Sequence, residues 1–213
     1  MLVSVYLIYG KNSQDRYLCN MTELEQYLHS YMGIPDADMK TLVSYFREET
    51  LEKGDFFLKE GRICEKLSFH RSGLLRVYAS HDGKEVTQWI SFKGNFITDL
   101  SGIVCDTPSR FNIRALSRCE LYTIDKTAYN NLSLVIDKWP LLERRLLTRC
   151  FGFVEARIFT LLSMSAEQRY KFLFTQNEEL FVQVPLKYLA SMMGITPESL
   201  SRIRKKMGGP AIS

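Results

Sequence analysis

Between Lys187 and Met207 the sequence reads KYLASMMGITPESLSRIRKKM, and its polar residues are spaced in a way that has chemical meaning. On a helix, Glu198, Ser199 and Arg202 would share one face, with Glu198 and Arg202 as i,i+4 neighbours able to hold each other's rotamer. Arginine can grip guanine at two acceptors and glutamate can accept from the cytosine amino group, so these types near a helix N-terminus suit base edges in a major groove. Thr196, Ser201, Lys205, Lys206 and Lys187 complete the candidate DNA-contacting set. Over residues 186–207 the cations Lys187, Arg202, Arg204, Lys205 and Lys206 stand against Glu198 alone, a balance of +4 that equals the net charge of the whole chain. Charge gathered on one short segment is the footprint expected of phosphate contact. The plainer alternative is a solvated basic helix end, which the helix dipole favours without any DNA.

Two short helices must position these residues. Pro185 suits a first helical position, and Leu186, Leu189, Ala190 and Met193 recur at i, i+3, i+4 and i+7 to give one buried face. Ala190 is small, as a close helix crossing needs, and Gly194 can end the helix in the left-handed conformation. Thr196 then caps a second helix with Pro197 at its first position. Its inward face is Leu200, Ile203 and Met207, and Ser201 and Arg204 flank the polar face. Further upstream, Ser165 with Glu167 and Gln168 marks another helix start.

Before that start lies PLLERRLLTRCFGFVEARIFTLL at 140–162, where Leu147, Phe151, Val154, Ile158 and Leu161 are spaced by 4, 3, 4 and 3. That is a coiled-coil seam of about two heptads. Leu142, Leu146 and Phe153 widen the apolar face, which suits a helix that packs on its own domain and on a second copy of the chain. Gly152 costs about 1 kcal/mol in such a helix and is read as traded for close backbone approach.

From about Thr50 to Asp125, short alternating runs (FFLKEG, KLSFHRSG, LLRVYAS, VTQWISF, RFNIRAL, CELYTI) are punctuated by glycines at 54, 61, 73, 83 and 94. Regular short strands with turn glycines predict a jelly roll or barrel, and HDGKE at 81–85 a hairpin turn. Ahead of it, Thr22 to about Arg47 reads as helical, with stripes Leu24, Tyr27, Leu28 and Met39, Leu42, Val43, Phe46 either side of Ile34-Pro35. The apolar start MLVSVYLIYG lacks the basic flank and cleavage site of a secretory signal, and residues 1–20 are read as a leader of uncertain status. No run approaches the about 20 apolar residues of a membrane span.

The remaining chemistry is sparse. Five cysteines (Cys19, Cys64, Cys105, Cys119, Cys150) show no C-x-x-C pair and read as reduced thiols of a cytoplasmic protein. His29, His70 and His81 are scattered, without ligand-spaced partners. A cupin-like metal enzyme would need clustered histidines, so neither a metal site nor a catalytic one is expected.

Glycine-punctuated barrel, long seam helix and terminal helix pair, in this order, resemble the Crp/Fnr family of bacterial transcription regulators. The resemblance covers about Met21 to Met207 and is carried by LEKGDFFLKEG, SGLLRVYASHDGKE, KGNFI and VPLKYLASMMGITPESLSRIRKK. It implies an α+β fold: N-terminal helices, a jelly-roll sensor barrel, a dimerisation helix and a C-terminal helix-turn-helix. The corresponding segments are a sensor domain at 21–130 (barrel about 48–128), a dimerisation region at 131–163 and a DNA-binding domain at 164–213. It also implies a homodimer on a near-palindromic duplex, with RNA polymerase as a candidate further partner. Glu198 and Arg202 stand where the family's base-reading Glu and Arg do, while Pro197 replaces a frequent arginine. The family's nucleotide-binding Gly-Glu-Leu and Arg-Ser-Ala are replaced at Thr98, Asp99, Leu100 and at Ser109, Arg110, Phe111. Ser109 cannot neutralise a phosphate, and Arg110 would point to the opposite strand face unless a bulge intervened. The pocket is therefore read as degenerate and cyclic AMP is not expected as effector. An iron–sulfur cluster is not expected either, whereas haem or another small ligand stays open. With the ending KKMGGPAIS, the β-hairpin wing many members carry is not expected. The competing reading is a small-ligand-binding sensor module whose helix pair contacts protein rather than DNA.

Overall fold

The computed structural model describes residues 22–208, so segment 1–20 lies outside the described residues. The chain divides between Thr148 and Arg149 into two compact units.

In the first unit, Thr22 closes a capping box with Glu25 ahead of α1 (Glu23–Tyr27), which passes into a π-helical turn, Leu28–Met32. After Pro35 comes α2 (Asp36–Ser44), burying Met39 and Leu42. Eight strands follow: β1 (Arg47–Leu51), β2 (Phe56–Leu58), β3 (Lys66–Ser72), β4 (Leu74–His81), β5 (Lys84–Phe92), β6 (Phe96–Ile97), β7 (Asn112–Ala115) and β8 (Cys119–Asp125). They form two four-stranded sheets, β1-β8-β3-β6 and β2-β7-β4-β5, in which every pairing is antiparallel. This is the jelly-roll sandwich the strand spacing predicted. Alternation makes the core: Leu75, Val77, Ile113, Ala115, Cys119 and Leu121 all turn inward and are buried. The β4–β5 hairpin closes through Asp82 (φ 50°) and Gly83 (φ 73°), the paired positive angles a two-residue turn requires. Tyr27 of α1 packs tilted against Phe69 and edge-on against Phe96, ring centroids 5.3 and 5.2 Å away, and so holds the N-terminal helices on the β3–β6 sheet.

A six-residue helix, α3 (Leu100–Cys105), interrupts the strands after β6. Its residues carry too short an apolar pattern to announce a helix in sequence. Beyond β8 lie α4 (Lys126–Asn131), a 3-10 turn at Leu132–Leu134 and the long helix α5 (Trp139–Ser163), whose first turns bury Trp139, Leu142 and Leu146.

The second unit comprises the last turns of α5 with α6 (Ala166–Gln176), α7 (Leu180–Gln183), α8 (Leu186–Met192) and α9 (Pro197–Lys206). The capping box of Ser165 and Gln168 starts α6, as its sequence predicted. Tyr170 and Phe181 meet at 5.1 Å, edge to face, in the middle of this small core. Among the described residues outside its own helical turns, no atom lies within 4 Å of a Cβ built on Gly152, so the close approach expected there is not made by them.

Candidate nucleic-acid interface and degenerate ligand pocket

The helix pair forms as read from sequence, with two differences. Pro185 is the N-cap of α8 rather than its first residue. Met207 is not part of the inward face of α9: the helix ends at Lys206, and Met207 is 41% exposed. Leu189, Ala190, Met192 and Met193 at the first helix and Leu200 and Ile203 of the second are buried, whereas Leu186, expected in the same face, sits at its edge and is half-buried. Gly194 (φ 67°) lets the backbone turn so that Ile195 N–H reaches Ala190 O and Gly194 N–H reaches Ser191 O, both at 3.0 Å. These two bonds make a Schellman ending that fixes the angle between the helices.

On α9, the Thr196 hydroxyl accepts from Ser199 N–H at 3.2 Å. Glu198 lies fully in solvent with its carboxyl below the ordinary range, held there by its own backbone N–H, then by Thr196, with Arg202 adding charge. It is therefore ionised and free to accept a hydrogen bond. The Arg202 guanidinium donates to the Ser199 hydroxyl at 3.4 Å, so Arg202 is steered by Ser199 as well as by the charge of its i,i+4 neighbour Glu198. Lys187 and Lys205 are exposed and Ser201 is half-buried. Lys206 is exposed but sits 2.7 Å from Glu167 of α6. Arg204, read as flanking the polar face, is buried at 6% exposure and turned toward α6, where its charge acts on Tyr170. Its removal leaves Arg202, Lys205, Lys206 and Lys187 as the exposed cations of the pair.

In α5 the seam residues Phe151, Val154, Ile158 and Leu161 are exposed and Leu147 half-buried. Phe159 and Leu162, which the heptad count omits, are 61% and 83% exposed and broaden the same surface.

The pocket residues fall into two groups. Thr98, Asp99 and Ser109 come together around the start of α3. The Thr98 hydroxyl donates to Lys66 O at 2.9 Å. Asp99 caps α3, one carboxylate oxygen accepting from Ser101 N–H (3.0 Å) and Gly102 N–H (3.2 Å). Its other oxygen accepts from the hydroxyl of Ser109, a residue only 3% exposed. Gly102 allows α3 to lie against the Cys64 backbone, since a Cβ there would sit 2.6 Å from Cys64 N. Lys126 holds the far end, donating to Gly102 O and to Asp106, both at 2.6 Å. Arg110 and Leu100 face solvent instead, the Arg110 guanidinium 5.1 Å from the Phe111 ring centroid. Arg110 lies just ahead of β7 rather than on it, so the strand alternation expected to turn it away does not apply. Nothing in the sequence signalled that Asp99 and Ser109 would pair, because their contact depends on how α3 folds back.

Among the described residues no group of three or more His, Cys, Asp or Glu could hold a metal ion. No helix of the described residues is long and apolar enough to cross a membrane.

Residues 48–134 match the family described as cyclic nucleotide-binding domain. No curated protein matches the sequence at a significant level. Among solved structures, the chain is similar to a CooA mutant from Carboxydothermus hydrogenoformans: 21% identity, TM-score 0.58, 79% of this chain and 80% of that one covered. It is also similar to FixK2 from Bradyrhizobium japonicum, at 16% identity and TM-score 0.64, covering 76% and 84%. The catabolite activator protein of Thermus thermophilus matches at 18% identity and TM-score 0.54, covering 85% and 86%. Residues 48–134 thus match the cyclic nucleotide-binding domain family. The chain shares the fold of these solved structures and of one described as a transcriptional regulator of the Crp/Fnr family, from Eubacterium rectale (18% identity, TM-score 0.63, covering 86% and 88%).

Proposed function

We propose that the chain is a cytoplasmic transcription regulator that binds DNA sequence-specifically as a homodimer, with RNA polymerase as a further partner, and performs no catalysis. The observation that carries this reading is the polar face of α9. Glu198, Ser199, Arg202 and Lys205 stand together at the surface while Leu200 and Ile203 anchor the other side. A helix so mounted can enter a major groove N-terminus first, with an ionised acceptor and a steered guanidinium at base edges. The apolar surface of α5 from Phe151 to Leu162 supports pairing, because a stripe of this kind is best covered by a second copy of itself.

Within the same proposal the sensor does not answer to cyclic AMP. The donors a cyclic phosphate would need, two N–H groups of α3 and a buried hydroxyl, are already bonded to Asp99. A second negative charge about 4 Å from that carboxylate would meet about 4 kcal/mol of repulsion at an effective dielectric of about 20.

Selection of the purified protein on random duplexes tests the reading. Enrichment of a twofold motif with half-sites about 34 Å apart is the expected result. Recovery of no motif, or of a motif without twofold symmetry, would overturn it.

A further inference from the structure

The end of α8 leaves one hydrogen-bond acceptor that its own turn does not satisfy. The Schellman ending uses the carbonyls of Ala190 and Ser191. The last carbonyl of the helix, Met192 O, is reached from outside the pair: Arg157 of α5 donates to it through Nη2 at 2.7 Å. Burial lowers the pKa of this guanidinium. It nevertheless stays charged, as arginine does in proteins, and a cation at a helix C-terminus also meets the negative end of the dipole. Arg157 is adjacent to Ile158 of the exposed seam, so a single helical turn carries an outward apolar face and an inward grip on the helix-turn-helix. Beside it, Leu161 makes the contact nearest Gly194, 3.9 Å from where a Cβ would stand. A second arginine works in the same way. Arg169 of α6 donates to Leu161 O (3.2 Å) and Met164 O (2.7 Å), fixing α6 on the end of α5.

We propose that Arg157 is a positioning residue that fixes the α8–α9 pair on the dimer helix and thereby sets the half-site spacing the protein accepts on DNA. The inference rests on the dimeric DNA-binding reading above. In a symmetric dimer, each reading helix is placed by its attachment to its own copy of α5. A slip there appears twice at the DNA, whereas one base pair of spacing corresponds to only about 3.4 Å of rise and about 35° of twist. Arg157 touches no base or phosphate in this scheme, and α9 reads the half-site in the same way with or without it.

The test compares wild type, R157M and R157K in duplex selection with the half-sites separated by variable spacers, alongside sedimentation to establish the dimer. R157M keeps a long buried side chain without the donor, and R157K keeps a point-charge donor without the planar fork. Wild type is expected to favour one spacing over its neighbours by about tenfold. In R157M that preference should flatten to under about threefold while the selected half-site sequence and the dimer persist, with R157K intermediate. R157M with the wild-type spacing preference overturns the inference. Should R157M lose its cooperative melting, R157K decides alone: reduced sharpness supports the inference and unchanged sharpness overturns it. Failure of the dimeric reading looks different, because wild type itself would then yield no twofold motif.

Discussion

At the scale of single residues, the proposed DNA binding would give Arg202 and Lys205 two different kinds of contact. Arg202 is steered by Ser199 and lies on the face that would meet base edges, whereas Lys205 is a lone exposed ammonium. Arg202→Ala is expected to cost about 1–3 kcal/mol on the selected site and to relax preference at one base pair. Lys205→Ala should weaken binding to every duplex alike and reduce the salt slope by about 1. Titrations at several salt concentrations check both, and identical behaviour of the two variants would contradict the assignment. His70 gives a prediction of another kind. It is fully buried on β3, its Nδ1 is 3.2 Å from the Ser91 hydroxyl, and its Nε2 has no partner among the described residues. Burial pulls its pKa down to about 4, against a backbone hydrogen bond at Ser72 that raises it. The unfolded chain takes up this proton near pH 6.5 while the native state refuses it until about 4. Stability is therefore complete above about pH 6.5 and falls through that window by about 3 kcal/mol. Trp89 and Trp139 both lie in the first unit, so urea unfolding followed by tryptophan fluorescence reads it directly. His70→Gln should remove the slope, and an equal slope in both proteins would assign it elsewhere.

At the scale of elements, α3 shows what a sequence can and cannot disclose. The helix-turn-helix was legible because its signals are local: Thr196 caps three residues ahead, Pro197 starts the helix, and Gly194 ends the previous one. The jelly roll was legible because strand alternation and turn glycines repeat along the chain. Asp99–Ser109, Arg204 against α6 and Arg157–Met192 were not, since each joins elements whose mutual placement no local pattern encodes. The burial of Arg204 is the clearest case, because a cation near a helix C-terminus has every local reason to face water. For α3 the long-range bond has a measurable consequence. Asp99→Ala removes the cap and the bond from the buried Ser109 hydroxyl, which is left donating to Phe111 O at 3.2 Å. A lost cap costs about 1 kcal/mol and a lost hydrogen bond about 1 kcal/mol net. The first unit should therefore unfold about 2 kcal/mol more easily, with faster amide exchange confined at first to residues 101–103. An unchanged unfolding midpoint would show that α3 is held by Lys126 and Cys64 alone.

At the scale of the whole molecule, the seam residues from Phe151 onward and the α8–α9 pair belong to one unit, while Leu147 belongs to the other. Phe151, Val154, Ile158 and Leu161 lie on the same stretch of α5 that Arg157 and Arg169 tie to α6 and α8. Pairing through that stretch would thus join the units that carry the two α9 helices. The consequence is a strong dependence of DNA affinity on the seam. A half-site alone offers one short helix with a few cations, which gives weak binding, and linking two such heads multiplies affinity by about 10² to 10⁴ when both can engage at once. Ile158, 53% exposed, is central in the stripe and makes a sensitive test. Ile158→Asp would place a charge in the desolvated centre of the pair, opposite its own copy. Its cost to the monomer is small, because the position already faces water. Sedimentation at micromolar concentration should show wild type as a dimer and Ile158→Asp as a monomer. Affinity for the full palindrome should fall by about 10²-fold or more while affinity for an isolated half-site stays within about twofold. A variant that remains dimeric and binds the palindrome normally would move the pairing surface away from α5.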